Sequence, residues 1–87
     1  MVVNNRRSEF EIIRDILVMS VDGAKKTQIL YRTNLSYSQL QVYLSFLVRV
    51  GAVKIIEHGS ARIYKTTPKG KEVLNHIEEA MRHLMEN

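Results

Sequence analysis

Apolar residues recur every three or four positions in four separate stretches of the chain, which predicts four amphipathic helices. The first helix is expected from Ser8 to Asp22. It starts with a capping box, because Ser8 can accept from the backbone of Glu11 while the Glu11 side chain returns to Ser8. Asp22 and Gly23 end this helix, which is expected to be scaffold.

Residues 27–51 contain a short helix, a stop and a longer helix. Thr27 is the predicted N-cap of the second helix, and Asn34 suits the left-handed conformation that a helix end often needs. Ser36 and Gln39 form a second capping box, which opens the third helix. Two helices joined by such a short turn are typical of a helix-turn-helix.

The third helix, residues 37–50, has one apolar side and one largely polar side. Its predicted core side carries Tyr37, Leu40, Tyr43, Leu44 and Leu47. In a helix-turn-helix the second helix enters a groove of DNA, so short hydrogen-bonding side chains on its outer side have a functional interpretation. Phe46 is expected to pack on a neighbouring element or a second subunit. Val42 either touches a thymine methyl group or is an ordinary surface residue.

Residues 53–58 and 62–66 are rich in β-branched residues and are separated by a short Gly-Ser-Ala segment, which predicts a hairpin. We expect its tip to carry His58, Ser60 and Arg62. Its core face is expected to hold Ile55, Ile63 and Tyr64, and its basic face Lys54, Arg62 and Lys65. A hairpin after the third helix is a wing, which can reach a minor groove or the phosphates beside it.

The last helix is predicted from Pro68 to about Met85, with Thr67 as its cap. Its apolar residues follow a spacing of three and then four, as in two heptads of a coiled coil. The predicted dimerisation residues are Leu74, Ile77, Met81 and Leu84. A helix that carries an apolar seam away from a small domain indicates a homodimer.

The 87 residues suffice for one domain with a single modest core, and 45% hydrophobic with 25% charged residues is the composition of a folded globular chain. The net charge is +4 and is unevenly distributed. Residues 25–65 hold seven basic residues and one acid, whereas residues 8–22 hold four acids and one basic residue. This concentration of positive charge suits a surface that faces phosphates, although a generally basic, solvated surface is the alternative.

Several classes of protein are not expected. The chain has no cysteine, which excludes disulfides and thiolate metal sites. It shows neither a signal-like N-terminus nor a stretch near the ~20 apolar residues that cross a bilayer, so we expect a cytoplasmic protein, and one that binds DNA is nucleoid-associated. No phosphate-binding glycine loop or carboxylate motif indicates an enzyme or a cofactor. His76, Glu79 and His83 share a helix face, but a solvated face is expected there rather than a metal site.

This order of elements predicts an α+β, mostly helical fold: a winged helix-turn-helix of three helices and a two-stranded wing, with a C-terminal dimerisation helix. Residues 1–7 are expected to form a flexible basic arm, residues 8–67 the winged domain and residues 68–87 the last helix. The pattern Lys-Thr-x-Ile, Asn-Leu-Ser-Tyr, Leu-x-x-Tyr-Leu and Thr-x-Lys-Gly starts at Lys26, Asn34, Leu40 and Thr67. In this combination the chain resembles the archaeal winged-helix family of ten-kilodalton "a" chromatin proteins and related predicted transcriptional regulators.

The resemblance implies binding of double-stranded DNA by a dimer whose C-terminal helices pair as an antiparallel coiled coil. The last helix of this chain shows only two heptads, which is short for such a coil. We expect a dimeric transcriptional regulator. A sequence-nonspecific chromatin protein and a winged helix used for protein–protein contact are the alternatives.

The expected DNA-binding residues combine the outer side of the third helix with the basic residues around it. They are Lys25, Lys26, Arg32, Ser36, Tyr37, Ser38, Gln39, Gln41, Val42, Ser45, Arg49, Lys54, His58, Ser60 and Arg62. Glutamine can pair bidentately with adenine and serine can serve base or phosphate. The helix is nonetheless poor in Arg, Lys and Asn, so its sequence specificity is expected to be modest.

Overall fold

The computed structural model describes residues 8–86, and the expected basic arm, residues 1–7, lies outside this described range. The elements are α1 (Glu9–Met19), β1 (Ala24–Lys25), α2 (Lys26–Thr33), α3 (Tyr37–Arg49), β2 (Val53–His58), β3 (Ala61–Thr66) and α4 (Pro68–Glu86). The strands form an antiparallel sheet in the order β1-β3-β2. This architecture confirms the predicted winged helix-turn-helix and adds a third strand to it.

The hydrophobic core lies where the apolar stripes of α1, α2 and α3 meet one face of the sheet. Its large, deeply buried side chains are Ile16, Leu17, Ile29, Leu40, Leu44, Leu47, Val53 and Tyr64. Burying an aliphatic side chain of this size contributes roughly 1.5–3 kcal/mol. Burial of the six helix residues in this set therefore holds the two helices of the motif against α1.

Side-chain caps begin α1 and α3, and a left-handed residue ends α2, as predicted. Ser8 and Glu11 exchange hydrogen bonds of 3.1 Å at the start of α1. Ser36 and Gln39 do the same at the start of α3, at 3.1 and 3.2 Å. Asn34 adopts a φ of 59° at the end of α2. These caps satisfy backbone groups that a helix end leaves unpaired.

The predicted N-cap of α2 is wrong. The cap is Lys25 rather than Thr27, and the Lys25 backbone N–H donates to the Gln28 side chain at 2.8 Å. The cause is β1, because pairing of Ala24 and Lys25 with β3 keeps the chain extended up to the residue before the helix. Strand pairing thus overrides the local preference of threonine for a cap.

α1 also ends earlier than predicted. Met19 is its last residue and Ser20 its C-cap, whereas the stop was expected after Asp22. The chain then turns, with the Gly23 N–H donating to the Ser20 carbonyl at 3.1 Å. Gly23 has a φ of 95°, a conformation that favours glycine, so it ends the turn instead of the helix.

The two faces of the sheet hold different residues from those predicted. The face towards the core carries Val53, Ile55, Glu57, Arg62, Tyr64 and Thr66, and the outer face carries Lys54, Ile56, His58, Ala61, Ile63 and Lys65. The predicted grouping of Ile63 with Tyr64 is wrong, because neighbouring residues of a strand point to opposite faces. For the same reason Arg62 does not share a face with the lysines. Ile55 lies towards the wing tip and is 39% exposed.

The start of α4 is fastened to the end of α3. Thr67 caps α4 as predicted, accepting from the Gly70 N–H at 3.0 Å. Its hydroxyl donates to the Gly51 carbonyl at 2.5 Å, and Lys69 Nζ donates to the Val50 carbonyl at 2.7 Å. The Val50 carbonyl belongs to the C-cap of α3, which has no partner further along the helix, and the Gly51 carbonyl lies directly beyond it.

Gly70 allows this close approach. A Cβ at this position would lie 2.1 Å from the Ala52 carbonyl oxygen and 2.7 Å from Thr66 Cγ2. The same Ala52 oxygen accepts from the Thr67 N–H at 3.0 Å, so it has little freedom to move. Any side chain at position 70 would therefore push α4 away from the loop that follows α3.

Candidate nucleic-acid interface

The predicted contact residues of α3 lie on one continuous exposed face. They are Ser38, Gln39, Gln41, Val42, Ser45 and Arg49, with Ser36 at the N-cap. On the opposite side Leu40, Leu44 and Leu47 are buried. The face consists mainly of hydrogen-bonding groups around one apolar side chain, Val42, which is 69% exposed.

Tyr37 does not belong to the core side of α3, where it was predicted. It is 61% exposed, and the Lys26 ammonium lies 4.8 Å from the centroid of its ring. Tyr37 is the first residue of the helix, so helical neighbours lie on only one side of it, and the residue that meets it from α2 is a cation. The correction moves Tyr37 from the core to the exposed surface that was expected for a contact residue.

Lys26 joins α2 to the exposed face of α3. Its Nζ donates to the Tyr37 hydroxyl at 3.3 Å and to Gln41 Oε1. Gln41 Nε2 donates in turn to Ser45 Oγ at 3.1 Å. Four predicted contact residues therefore form one connected hydrogen-bond network, with its lysine partly buried between the two helices.

The other predicted cations of α2 and α3 have different surroundings. Arg49 lies on the exposed face of α3, with its guanidinium 5.7 Å from the centroid of the Phe46 ring. Phe46 remains 42% exposed and borders an open groove with Ile13 of α1. Arg32 donates to Met19 Sδ at 3.9 Å and lines a separate groove with residues of α1 and α4. The structure thus does not place Arg32 with the network.

The outer face of the sheet is basic. Lys25 lies opposite Ile63, and Lys54 lies opposite Lys65. Lys65 was not among the predicted contact residues, although it had been predicted to share the basic face of the hairpin with Lys54. Ile56, 37% exposed, lies on the same face. Three lysines and exposed apolar surface therefore share this face.

The wing tip carries the predicted His58, Ser60 and Arg62, all exposed. Arg62 Nε lies 3.5 Å from Glu57 Oε2. The pKa of Arg62 is raised above its usual value, first by a hydrogen bond with the Tyr64 side chain and next by the Glu57 carboxylate. Arginine is charged at neutral pH in any case, and an exposed ion pair such as this one contributes little to stability.

Tyr31 was missed as a surface feature. It is 92% exposed on α2 and offers a ring and a hydroxyl to a partner. The helical spacing contained the signal, because Tyr31 follows the buried Ile29 by two positions, about 200° around the helix.

An apolar groove lies between α1 and the second half of α4. It is lined by Phe10, Val73, His76, Ile77, Ala80, Met81 and Leu84, and we call it the α4 groove. Of the predicted dimerisation residues, Leu74 and Ile77 are buried within the single chain, Met81 is half-buried and Leu84 is 78% exposed. Phe10 of α1 is 65% exposed at the same groove. The predicted seam is therefore half used by the chain's own fold and half exposed.

Within residues 8–86 no helix combines the length and the apolar character of a membrane span. Among the described side chains, which end at residue 84, no three His, Asp or Glu residues are placed to hold a metal ion, and His76, Glu79 and His83 form no such cluster.

Comparison with known proteins agrees with this geometry. The profile of the winged helix-turn-helix family matches residues 6–85. An uncharacterized protein of Methanocaldococcus jannaschii is 31% identical over 75 residues, which are 85% of this chain and 73% of the relative. Sso10a-2, a DNA-binding protein from Sulfolobus solfataricus, is 36% identical, with a TM-score of 0.78 over 87% of this chain and 80% of that protein.

Two more distant structures share the fold. AF1382 from Archaeoglobus fulgidus is 22% identical with a TM-score of 0.70, covering 90% of this chain and 87% of its own. The PcaV transcriptional regulator from Streptomyces coelicolor is 18% identical with a TM-score of 0.65, covering 98% of this chain and 67% of its own. Because the family profile spans almost the whole sequence, the chain belongs to the winged helix-turn-helix family.

Proposed function

We propose that the protein binds double-stranded DNA, with α3 in the major groove and the β2–β3 hairpin as a wing beside it. The observation that carries this proposal is the exposed face of α3, where short polar side chains surround Val42 and are ordered by Lys26. Side chains of this kind on a helix reach both base edges and phosphates. The similarity to Sso10a-2, a DNA-binding protein, supports the proposal.

α3 itself carries a single cation, Arg49, so most cations that can reach DNA lie on the elements around it. Contacts between these cations and phosphates are expected to supply most of the affinity. The candidates are Lys25, Lys26, Arg49, Lys54, Arg62 and Lys65. If these six groups engage phosphates, the logarithm of the affinity falls with the logarithm of salt concentration at a slope of about −5 per subunit. A fluorescence anisotropy titration of a labelled duplex at several salt concentrations measures this slope. An affinity that does not change with salt concentration would contradict the proposal.

The same titration also tests whether the paired lysines of the sheet contact phosphates. Replacing Lys54 and Lys65 with glutamine should reduce the slope by about 2, because each phosphate contact contributes roughly one unit. The matched control replaces Lys71 and Arg82, two exposed cations of α4, and should leave the slope unchanged. If both double variants change the slope equally, the outer face of the sheet is not a phosphate-binding surface.

We infer that the protein is a transcriptional regulator. The ordered network on α3 favours base recognition, whereas the scarcity of Arg, Lys and Asn on that helix favours the alternative, a sequence-nonspecific chromatin protein. The two roles differ in the ratio of specific to nonspecific affinity, which is on the order of 10³ or more for a regulator. Selection of bound duplexes from random DNA decides between them, because only a regulator enriches a sequence motif.

We further propose that the protein is a homodimer that pairs through the α4 groove. Phe10, Ala80 and Leu84 are exposed apolar neighbours there, and they continue the seam whose first half, Leu74 and Ile77, is already buried. A second copy of the same groove is the complementary partner, since two-fold pairing brings identical apolar surfaces together. The dimerisation implied by the sequence resemblance points to the same helix.

Replacing Leu84 with glutamate should convert the dimer to a monomer at micromolar concentration, as measured by analytical ultracentrifugation. A carboxylate in an apolar interface is strongly unfavourable when it lacks a partner. The fold should persist, because Leu84 is exposed in the single chain. The control is His83→Glu, one position away and also exposed. A dimeric Leu84→Glu variant, or a monomeric wild type, would show that α4 does not form the interface.

A further inference from the structure

The hydrogen bonds around Lys26 have a fixed direction. An ammonium group has three hydrogens and no acceptor, so it can only donate. Because Lys26 donates to the Tyr37 hydroxyl and to Gln41 Oε1, both of these oxygens are acceptors. The Gln41 amide is thereby turned with its nitrogen towards Ser45, and Ser45 Oγ accepts from it at 3.1 Å.

The hydrogens that the network leaves unused are available to a partner. The hydroxyls of Tyr37 and Ser45 each accept within the network, so the hydrogen of each is available to be donated outward. The Gln41 amide and the Lys26 ammonium each keep one further hydrogen. An unrestrained glutamine could present its oxygen or its nitrogen to a base, whereas this one is held with its oxygen beside a cation. Lys26 therefore makes the exposed face of α3 rich in donors.

We propose that Lys26, acting through Gln41, makes α3 prefer guanine over adenine at the base that Gln41 and Ser45 face. The proposal rests on the proposed DNA binding and specifies what that site recognises. In the major groove guanine presents two neighbouring acceptors, N7 and O6, whereas adenine presents one acceptor and the N6 amino donor. The donors of Gln41 and Ser45 suit the guanine edge, and an adenine amino group would meet other donors and the Lys26 charge. Lys26 is thus a positioning residue, and the adenine pairing expected for an isolated glutamine is disfavoured.

The test compares Lys26→Met with Lys25→Met in selection of bound duplexes from random DNA. Lys25→Met removes the same charge at the neighbouring position. It is a matched control because Lys25 lies on the outer face of the sheet, away from the network. Lys25→Met should bind more weakly than wild type, because it loses a candidate phosphate contact, but both proteins should enrich guanine at one recurrent position. Lys26→Met should lose that preference, and so should Ser45→Ala, which removes the last donor of the network without touching the lysine.

A modified duplex tests the hydrogen bond itself. Replacing the selected guanine with 7-deazaguanine removes the N7 acceptor, and wild type should then bind about fivefold to tenfold more weakly, as expected for one lost hydrogen bond. Lys26→Met should bind the modified and unmodified duplexes equally. Circular dichroism melting of each variant verifies that its fold is intact.

The outcomes separate this inference from the function on which it rests. DNA binding without guanine enrichment, or equal guanine preference in wild type and Lys26→Met, overturns the inference and leaves DNA binding in place. Failure of the wild type to bind any duplex at low salt overturns both.

Discussion

Replacing Gly70 with alanine is expected to destabilise the domain by about 3 kcal/mol, because the added methyl group overpacks a closely fitted site. The new Cβ would lie 2.1 Å from the Ala52 carbonyl oxygen, far inside van der Waals contact. This direction is opposite to the usual one, since alanine in a helix is normally more stable than glycine by about 1 kcal/mol. Urea unfolding followed by circular dichroism measures the difference.

Gly59→Ala is the matched control for Gly70→Ala. Gly59 lies at the tip of the hairpin with a φ of 62°, and a Cβ there would meet nothing within 4 Å. Only the left-handed backbone opposes the substitution, at a cost of roughly 1–2 kcal/mol. If Gly70→Ala were as stable as the wild type, α4 would not approach the loop after α3 as closely as described, and the fastening of the two helices would be in doubt.

Replacing Gln41 and Arg62 together with glutamate is expected to weaken DNA binding at least a hundredfold. The substitutions place carboxylates on α3 and on the wing, where phosphates are expected, and juxtaposed like charges cost on the order of several kcal/mol. The fold should survive, because a glutamate at position 41 still accepts from Lys26, and position 62 is exposed. Anisotropy titration at a single salt concentration measures the loss.

The control for this double variant is Asn75→Glu with Arg82→Glu. It makes the same change in net charge at two exposed positions of α4. Equal losses in both double variants would mean that net charge, rather than a particular surface, governs binding. Retained DNA binding in the Gln41 and Arg62 variant would contradict the proposed interface. A variant that no longer binds DNA but keeps its biological function would instead favour a winged helix that contacts proteins.

Local signals in the sequence predicted much of this fold. A cap such as Ser36 with Gln39 involves residues three positions apart, so its chemistry is visible without any knowledge of tertiary structure. The left-handed Asn34 and the Thr67 cap are local in the same sense. The core stripe of α3 followed from helical periodicity, apart from Tyr37 at its first position.

What the sequence did not predict depends on contacts between distant residues. β1 is only two residues long, and it exists because β3, some forty residues later, offers it an edge. The bond between Lys26 and Gln41 joins positions fifteen residues apart, and it requires the angle at which α2 meets α3. Spacing along the chain does not encode that angle, so the individual contact residues could be predicted while their network could not.

The attachment of α4 to α3 has a consequence for how a dimer would engage DNA. Because Thr67 and Lys69 donate to the Gly51 and Val50 carbonyls directly after α3, each subunit of such a dimer would carry α3 and α4 as one arm. In a dimer built on α4, the angle between the two arms then fixes the distance between the two α3 helices. Successive major grooves on one side of a duplex are about 34 Å apart. If the angle matches this spacing, the two α3 helices of the dimer can bind a single duplex. At any other angle the second α3 helix is left to bind a different duplex, and the dimer then bridges two DNA molecules.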